Sequence, residues 1–354
     1  MRGRVDTPSE GEKIHSMNAP SPLQVAVVMG GPSDEHPISL KSGGAVVDAL
    51  EEMGHEALPL PIGTDGRWGM EGSLEGPTLS PGQAMASLEE RAPDVVFNAL
   101  HGPFGEDGTI QAILETLGIP YTGSGVASCA LAMDKVRAKQ VVRTAGVSVA
   151  PDVSITRGEW SRDRSAVLSR IADRLPLPLF VKPVCAGSSF GASPVESHEE
   201  MGPALDRALE ADTTALVEPL LVGLELTSGI LSGPEGHDLV ALPLVSIEPV
   251  GHRFFDFESK YTPGHNIELC PAPVSPEFTR AIQEESLHAH RALDAFGISR
   301  SDFILTDTGP VWLELNSLPG LTQESLIPRA CAELGMSFHD LVARLLAQAL
   351  ARSS

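Results

Sequence analysis

Cysteine is scarce in this chain, and the four that occur lie far apart: Cys129, Cys185, Cys270 and Cys331. They form no CxxC pair, which speaks against a zinc knuckle or a disulfide framework and for idle thiols in a reducing compartment. Long apolar runs are missing too. No stretch approaches the ~20 residues of a membrane span, and residues 1–22 lack the apolar centre of a signal peptide and read as a polar, disordered extension. A cytoplasmic location is expected. Positive charge is in deficit: the net charge of −22 excludes a surface built for nucleic-acid phosphates. Lysine is rarest, with six against nineteen arginines, so each lysine is a candidate for a task that needs a compact ammonium. There is no GxxxxGK[ST], hence no P-loop, and no internal repeat.

What is present is ample for a real core. Hydrophobic residues make up 42% of 354 residues, a length that suits two or three domains. Val25–Met29 is a short β-branched run that reads as a buried strand, and Ile38–Met53 reads as a helix stopped by Gly54. Strands at Ala57–Ile62, Asp94–Leu100 and Ile119–Tyr121, with a helix at Thr109–Leu117, complete a parallel α/β unit over residues 23–122. Ligands of such sheets sit beyond the strands' carboxyl ends, which points to the loops GGPSDEH and HGPFGEDG. Glu106 and Asp107 in the second loop read as caps for the helix at Thr109. Residues 123–224 form an α+β unit, with helices at Asp134–Ala145, Trp160–Ala172 and Ser197–Ala211. Its strands are expected at Leu179–Lys182, from Phe190, and at Ala215–Glu218. Residues 225–354 read as antiparallel strands, a helix at Pro276–Phe296 and a closing helix at Phe338–Arg352. The polar, aromatic stretch 251–270 is long enough for a lid.

Residues 300–316, RSDFILTDTGPVWLELN, read as two strands around a tight turn. A turn centred on Thr308 puts Asp302 opposite Glu314 and Arg300 opposite Asn316. Alternation gathers these four on one face and leaves Phe303, Leu305, Val311, Leu313 and Leu315 on the other. Hard oxygen ligands so clustered suit Mg²⁺ together with substrate phosphates. The alternative is a solvated polar face with an incidental ion pair. Lys135, Lys182 and the loop Gly187-Ser188-Ser189 could cover phosphates, although that loop also reads as an ordinary turn. Glu218 and Glu225 could meet an adenine or a ribose, or simply face water.

The order of these pieces resembles the ATP-grasp superfamily. More closely, MGGPSDEHPISLKSG, ALHGPFGEDGTIQ, GIPYTGSG, AMDKVRAK, FVKPVCAGSSFG, FESKYTPG, SRSDF and LELNSLPGLTQESLIP are similar, in order, to the motifs of D-alanine–D-alanine ligases from about Val25 to the C-terminus. That resemblance implies an N-terminal α/β domain followed by a two-part ATP-grasp fold. It also implies ATP-dependent formation of D-alanyl-D-alanine through D-alanyl phosphate, for peptidoglycan precursors. Lys135, Lys182, Ser188, Ser189, Glu218, Glu225, Lys260 and Asn316 would hold ATP. Asp302, Glu314 and Asn316 would bind two Mg²⁺, with Mn²⁺ as an alternative and K⁺ as a candidate activator. Glu35 would take the first D-alanine's ammonium near His101, linked to Ser188 and Tyr261. Arg300 and the Gly320 N–H would stabilise the acyl phosphate and oxyanion. Ser325, Leu326 and Lys260 would hold the second D-alanine. A homodimer is expected.

Several positions depart from the family pattern or vary within it. Ala186 stands where many relatives carry Glu, and Pro32, His36 and Pro37 stiffen the first loop. Lys260-Tyr261 resembles the dipeptide-forming ligases, whereas ester-forming relatives commonly carry His in the lid. The alternatives are a ligase with a D-serine, D-lactate or specialised-pathway acceptor, and a nucleotide-binding regulator without turnover.

Overall fold

A computed structural model describes residues 22–70, 72–185, 191–233, 238–249 and 266–352. The first sheet is built on β1 (Gln24–Gly30), which is buried on both faces because α1 (His36–Glu52) and the helices after it cover it. It pairs in parallel with β2 (Glu56–Ile62) on one side and, across β3 (Trp68–Met70), β4 (Ser73–Leu79) and α2 (Pro81–Arg91) in sequence, with β5 (Val95–Asn98) on the other. Val25, Val27 and Met29 enter one core and Ala26 and Val28 another, the period-2 split of a doubly covered strand. The expectation of a wholly parallel unit is corrected. β3 and β4 extend the sheet antiparallel, in the order β4-β3-β2-β1-β5. Most β4 positions are exposed or half-exposed, which suits an edge. The expected strand at Ile119–Tyr121 shrinks to one bridge, Val96 to Tyr121, before which lies α3 (Thr109–Leu117). Pro120 accepts from the Val96 N–H but has no N–H to return.

Two helices follow, α4 (Val126–Met133) and α5 (Lys135–Thr144). The second sheet then collects β6 (Val153–Thr156), β7 (Leu179–Pro183), β8 (Ser193–Val195) and β9 (Thr214–Pro219) in the antiparallel order β6-β9-β7-β8. α6 (Arg157–Arg162), α7 (Arg164–Arg174) and α8 (His198–Ala211) cover it. The single helix expected over Trp160–Ala172 is broken at Asp163, whose carboxylate accepts from the Ala166 N–H and starts α7.

The third sheet is antiparallel. It runs β13 (Asn266–Leu269), β12 (Val245–Pro249), β10 (Leu224–Leu231), β14 (Ile298–Thr306), β15 (Gly309–Asn316), with β11 (Val240–Ala241) on β10. The end of the expected lid is thus a strand, and residues 251–265 of it lie outside the described residues. α9 (Pro276–Ala292), α10 (Leu326–Glu333) and α11 (Phe338–Arg352) complete the chain. α11 and β14 share a core with β1, so the first and third sheets are joined through apolar side chains such as Val27, Ile298 and Leu345.

The hairpin of β14 and β15 has the expected polar pairs, Arg300 with Asn316 and Asp302 with Glu314. It reaches them differently. The turn is Asp307-Thr308, so near the tip Thr306 faces Gly309 and Phe303 faces Trp312. The register shifts between Asp302 and Phe303, and Leu313 is the residue left without a partner in the ladder. Trp312, two positions from Glu314, therefore does not share its polar face. It is fully buried with Phe303 and gives its indole N–H to Ser301 Oγ at 3.1 Å.

Candidate active site

The loops after β1 and β5 lie against each other, as the topology of a parallel sheet requires. Ser33 Oγ donates to the His101 carbonyl at 2.7 Å, and Ser39 Oγ, which accepts from the Gly30 N–H, donates to the Ala99 carbonyl. Glu35 stands at the N-terminal end of α1. Gly102 has φ +71, and a Cβ there would lie 2.8 Å from Glu35 Oε2, so the close approach of the two loops needs glycine.

His101 is buried with both ring nitrogens occupied. Nδ1 lies 3.2 Å from the Leu318 carbonyl, which can only accept, and Nε2 lies 3.0 Å from Ser42 Oγ. The ring is therefore protonated on Nδ1. Burial lowers its pKa, outweighing the carboxylate of Glu35. Glu106 and Asp107 were both expected to cap the helix at Thr109; the N-cap residue is Gly108, and of the two only Asp107 reaches the helix start, accepting from the Thr109 and Phe104 N–H groups. Glu106 turns inward instead. It accepts from the Gly102 N–H at 2.8 Å and stands 4.0 Å from His101 Nδ1. Burial, then the negative field of Glu35, pushes its pKa up to about 8.

The polar face of the hairpin closes the other side. Arg300 forks onto Asp302, Nε to Oδ1 and Nη2 to Oδ2, both at 2.8 Å. Burial would lower the guanidinium pKa, but Asp302 outweighs it and holds the group above its ordinary value. The fork uses two of five N–H donors. Lys135 Nζ lies 3.0 Å from Glu314 Oε2, and Asn316 Oδ1 accepts from the Leu318 N–H at 2.9 Å. Among the described residues no set of three or more His, Cys, Asp and Glu side chains gathers as metal ligands. Asp302 and Glu314 instead stand opposite each other beside an amide oxygen, a hard-oxygen set that fits Mg²⁺ with substrate phosphates completing the shell. Ser325 begins α10. Its Oγ accepts from the Thr322 N–H at 3.1 Å, and a Cβ on Gly320 would lie 3.0 Å from it.

These groups share one cleft of about 1100 Å³. Glu35, His101, Lys135, Glu225, Arg300, Asp302, Glu314, Asn316, Gly320, Ser325 and Leu326 all line it, as does Glu106, whose place there the sequence reading missed. Lys182 and Glu218 do not line it. Lys182 Nζ lies 2.7 Å from Glu218 Oε2, and Glu218 Oε1 also takes Lys139, whose spacing of four from Lys135 was the available signal. Burial would lower the pKa of Lys182 and raise that of Glu218, but their mutual attraction reverses both directions. Ser188, Ser189, Lys260 and Tyr261 lie outside the described residues.

Comparison with known proteins is consistent over nearly the whole fold. Residues 24–124 match the family description "D-ala D-ala ligase N-terminus" and residues 141–347 match "D-ala D-ala ligase C-terminus". A D-alanine–D-alanine ligase of Agrobacterium fabrum is 40% identical over 92% of this chain and 97% of its own. One from Geobacter sulfurreducens is 41% identical over 92% and 94%. Among solved structures, the VanG D-Ala:D-Ser ligase of Enterococcus faecalis superposes with a TM-score of 0.77, at 31% identity, covering 93% of this chain and 100% of that one. The chain belongs to the D-alanine–D-alanine ligase family, a family of carbon–nitrogen ligases.

Proposed function

We propose that this chain joins two D-alanine molecules at the expense of ATP, through D-alanyl phosphate, to supply peptidoglycan precursors in the cytoplasm. The observation that carries the reading is the convergence of Glu35, Lys135, Arg300, Asp302, Glu314 and Ser325 on one cleft. Phosphoryl transfer is mostly positioning and charge neutralisation, and each group has a matching task. Lys135 and Lys182 hold phosphates, Glu225 the ribose, and Glu218 lies at the adenine end. Glu35 takes the ammonium of the first amino acid. The three N–H donors that Arg300 does not spend on Asp302, with the Gly320 N–H, meet the acyl phosphate and the oxyanion that follows it. Ser325 and the first N–H groups of α10 receive the second carboxylate. Mg²⁺, held by Asp302, Glu314 and Asn316, would neutralise phosphate charge. Two metal ions, K⁺ activation and a homodimer belong to the same reading.

D-alanine is the favoured acceptor because both curated relatives named above carry that name at about 40% identity. D-serine is the second reading, on the strength of the structural neighbour. Mass spectrometry of the product with D-alanine, D-serine and D-lactate in competition decides between them. D-alanyl-D-alanine is the expected main product, and its absence at saturating D-alanine overturns the proposal. Asp302→Asn and Glu314→Gln each remove a ligand charge and little volume. Turnover is expected to fall by about 10² or more with folding intact, and near-normal Mg²⁺-dependent turnover in both would reject the metal assignment.

A further inference from the structure

Helix α5 carries Lys135, Lys139 and Arg143 at steps of four, so they lie along one side of it. Each meets a carboxylate from another element. Lys135 reaches Glu314 on β15; Lys139 sits between Glu218 on β9 and Asp152, 3.3 Å away; Arg143 lies 3.0 Å from the same Asp152. The apolar residues of α5, Ala138 and Val142, pack with Leu226, Phe303 and Trp312 of the third sheet. The helix and Lys135 are thus seated on the third sheet while Lys139 reaches Glu218 of the second. Lys139 is completely buried, an expensive place for an ammonium, and nothing in the proposed reaction uses it.

Its effect is on Glu218. A buried carboxylate with one lysine would keep that lysine's charge for itself. Glu218 has two, Lys182 and Lys139; Lys139 is shared with Asp152, which Arg143 also meets, so three cations face two carboxylates and part of the charge on Lys182 is in surplus. We propose that Lys139 is a positioning residue for the nucleotide: it neutralises Glu218 so that Lys182 can serve a phosphate, and it locks α5, with Lys135, to the second sheet. The inference rests on reading Lys135 and Lys182 as phosphate ligands.

The test is ADP binding with Mg²⁺ by calorimetry, in wild type, Lys139→Met and the double variant Lys139→Met/Asp152→Asn. The double variant removes the buried ammonium together with the half-buried carboxylate it meets and so spares the fold, yet still leaves Glu218 with a single lysine. The Kd for ADP is expected to weaken about tenfold or more in both variants, with the KM for D-alanine unchanged within about twofold. A folded double variant that binds ADP like wild type overturns the proposal. So does loss of folding in both variants, which would make Lys139 a framework residue. Failure of the wild type to bind ADP would instead break the functional reading beneath it.

Discussion

Two buried glutamates, Glu106, which lines the cleft, and Glu218, which does not, have pKa values shifted in opposite directions. Burial pushes both pKa values upward, so burial does not separate them. Their neighbours do. Glu218 lies between two lysine ammonium groups, and they overcome the desolvation penalty. Glu106 has a backbone N–H and a neutral imidazole close by, and the negative fields of Glu35 and Glu314 add to its penalty. The surroundings of Glu218 are therefore built to keep charges, and those of Glu106 to hold a proton. The same residue type serves both because the fold, not the side chain, selects the charge state.

The sharpest way to break this contrast is Glu218→Ala. It strands Lys139 and Lys182 without their shared partner and is expected to cost about 3–5 kcal/mol, measured by chemical denaturation. A loss below about 1 kcal/mol would mean the triad contributes little. A smaller effect is expected from Gly102→Ala, which forces a side chain to φ +71 and against Glu35. About 1–2 kcal/mol should be lost, and the KM for the first D-alanine should rise. An unchanged KM would detach Glu35 from that substrate.

Opposite in sign, and dependent on pH, is Glu106→Gln. The amide keeps an acceptor for the Gly102 N–H and cannot ionise. In the wild type the folded state keeps a proton that the unfolded chain has already lost between the ordinary carboxylate value of 4.5 and about 8, so stability falls as pH rises through that window. Gln removes the fall. The variant should match wild type below about pH 4.5 and gain on it progressively as pH rises to about 8, levelling off above that. A melting-temperature difference independent of pH would show that Glu106 does not titrate there.

Much of this was legible in the sequence wherever one physical signal dominated. The apolar β-branched run of β1 and the helices Thr109–Leu117 and Phe338–Arg352 follow from periodicity alone, whereas the polar pairs of the hairpin match the expectation because the shift at Leu313 offsets the displaced turn. What was illegible depended on contacts distant in the chain. Whether Glu106 caps a helix or turns into a cleft depends on the Gly102 N–H and on Glu35, which belongs to another loop. The partners of Lys139 lie at Asp152 and Glu218, so only the folded chain shows it to be buried between carboxylates. Trp312 was hidden by a shift of one residue, which periodicity counts as continuous alternation.

That shift has a consequence for chain length. Leu313 is skipped by the ladder, so the pairs on either side of it, Asp302 with Glu314 and Phe303 with Trp312, are already consecutive across the partner strand. Deleting Leu313 would leave every other pairing in place, whereas deleting a neighbour would turn either the carboxylates or the tryptophan to the wrong side. Within this hairpin, Leu313 is where the chain can lose a residue without losing the site.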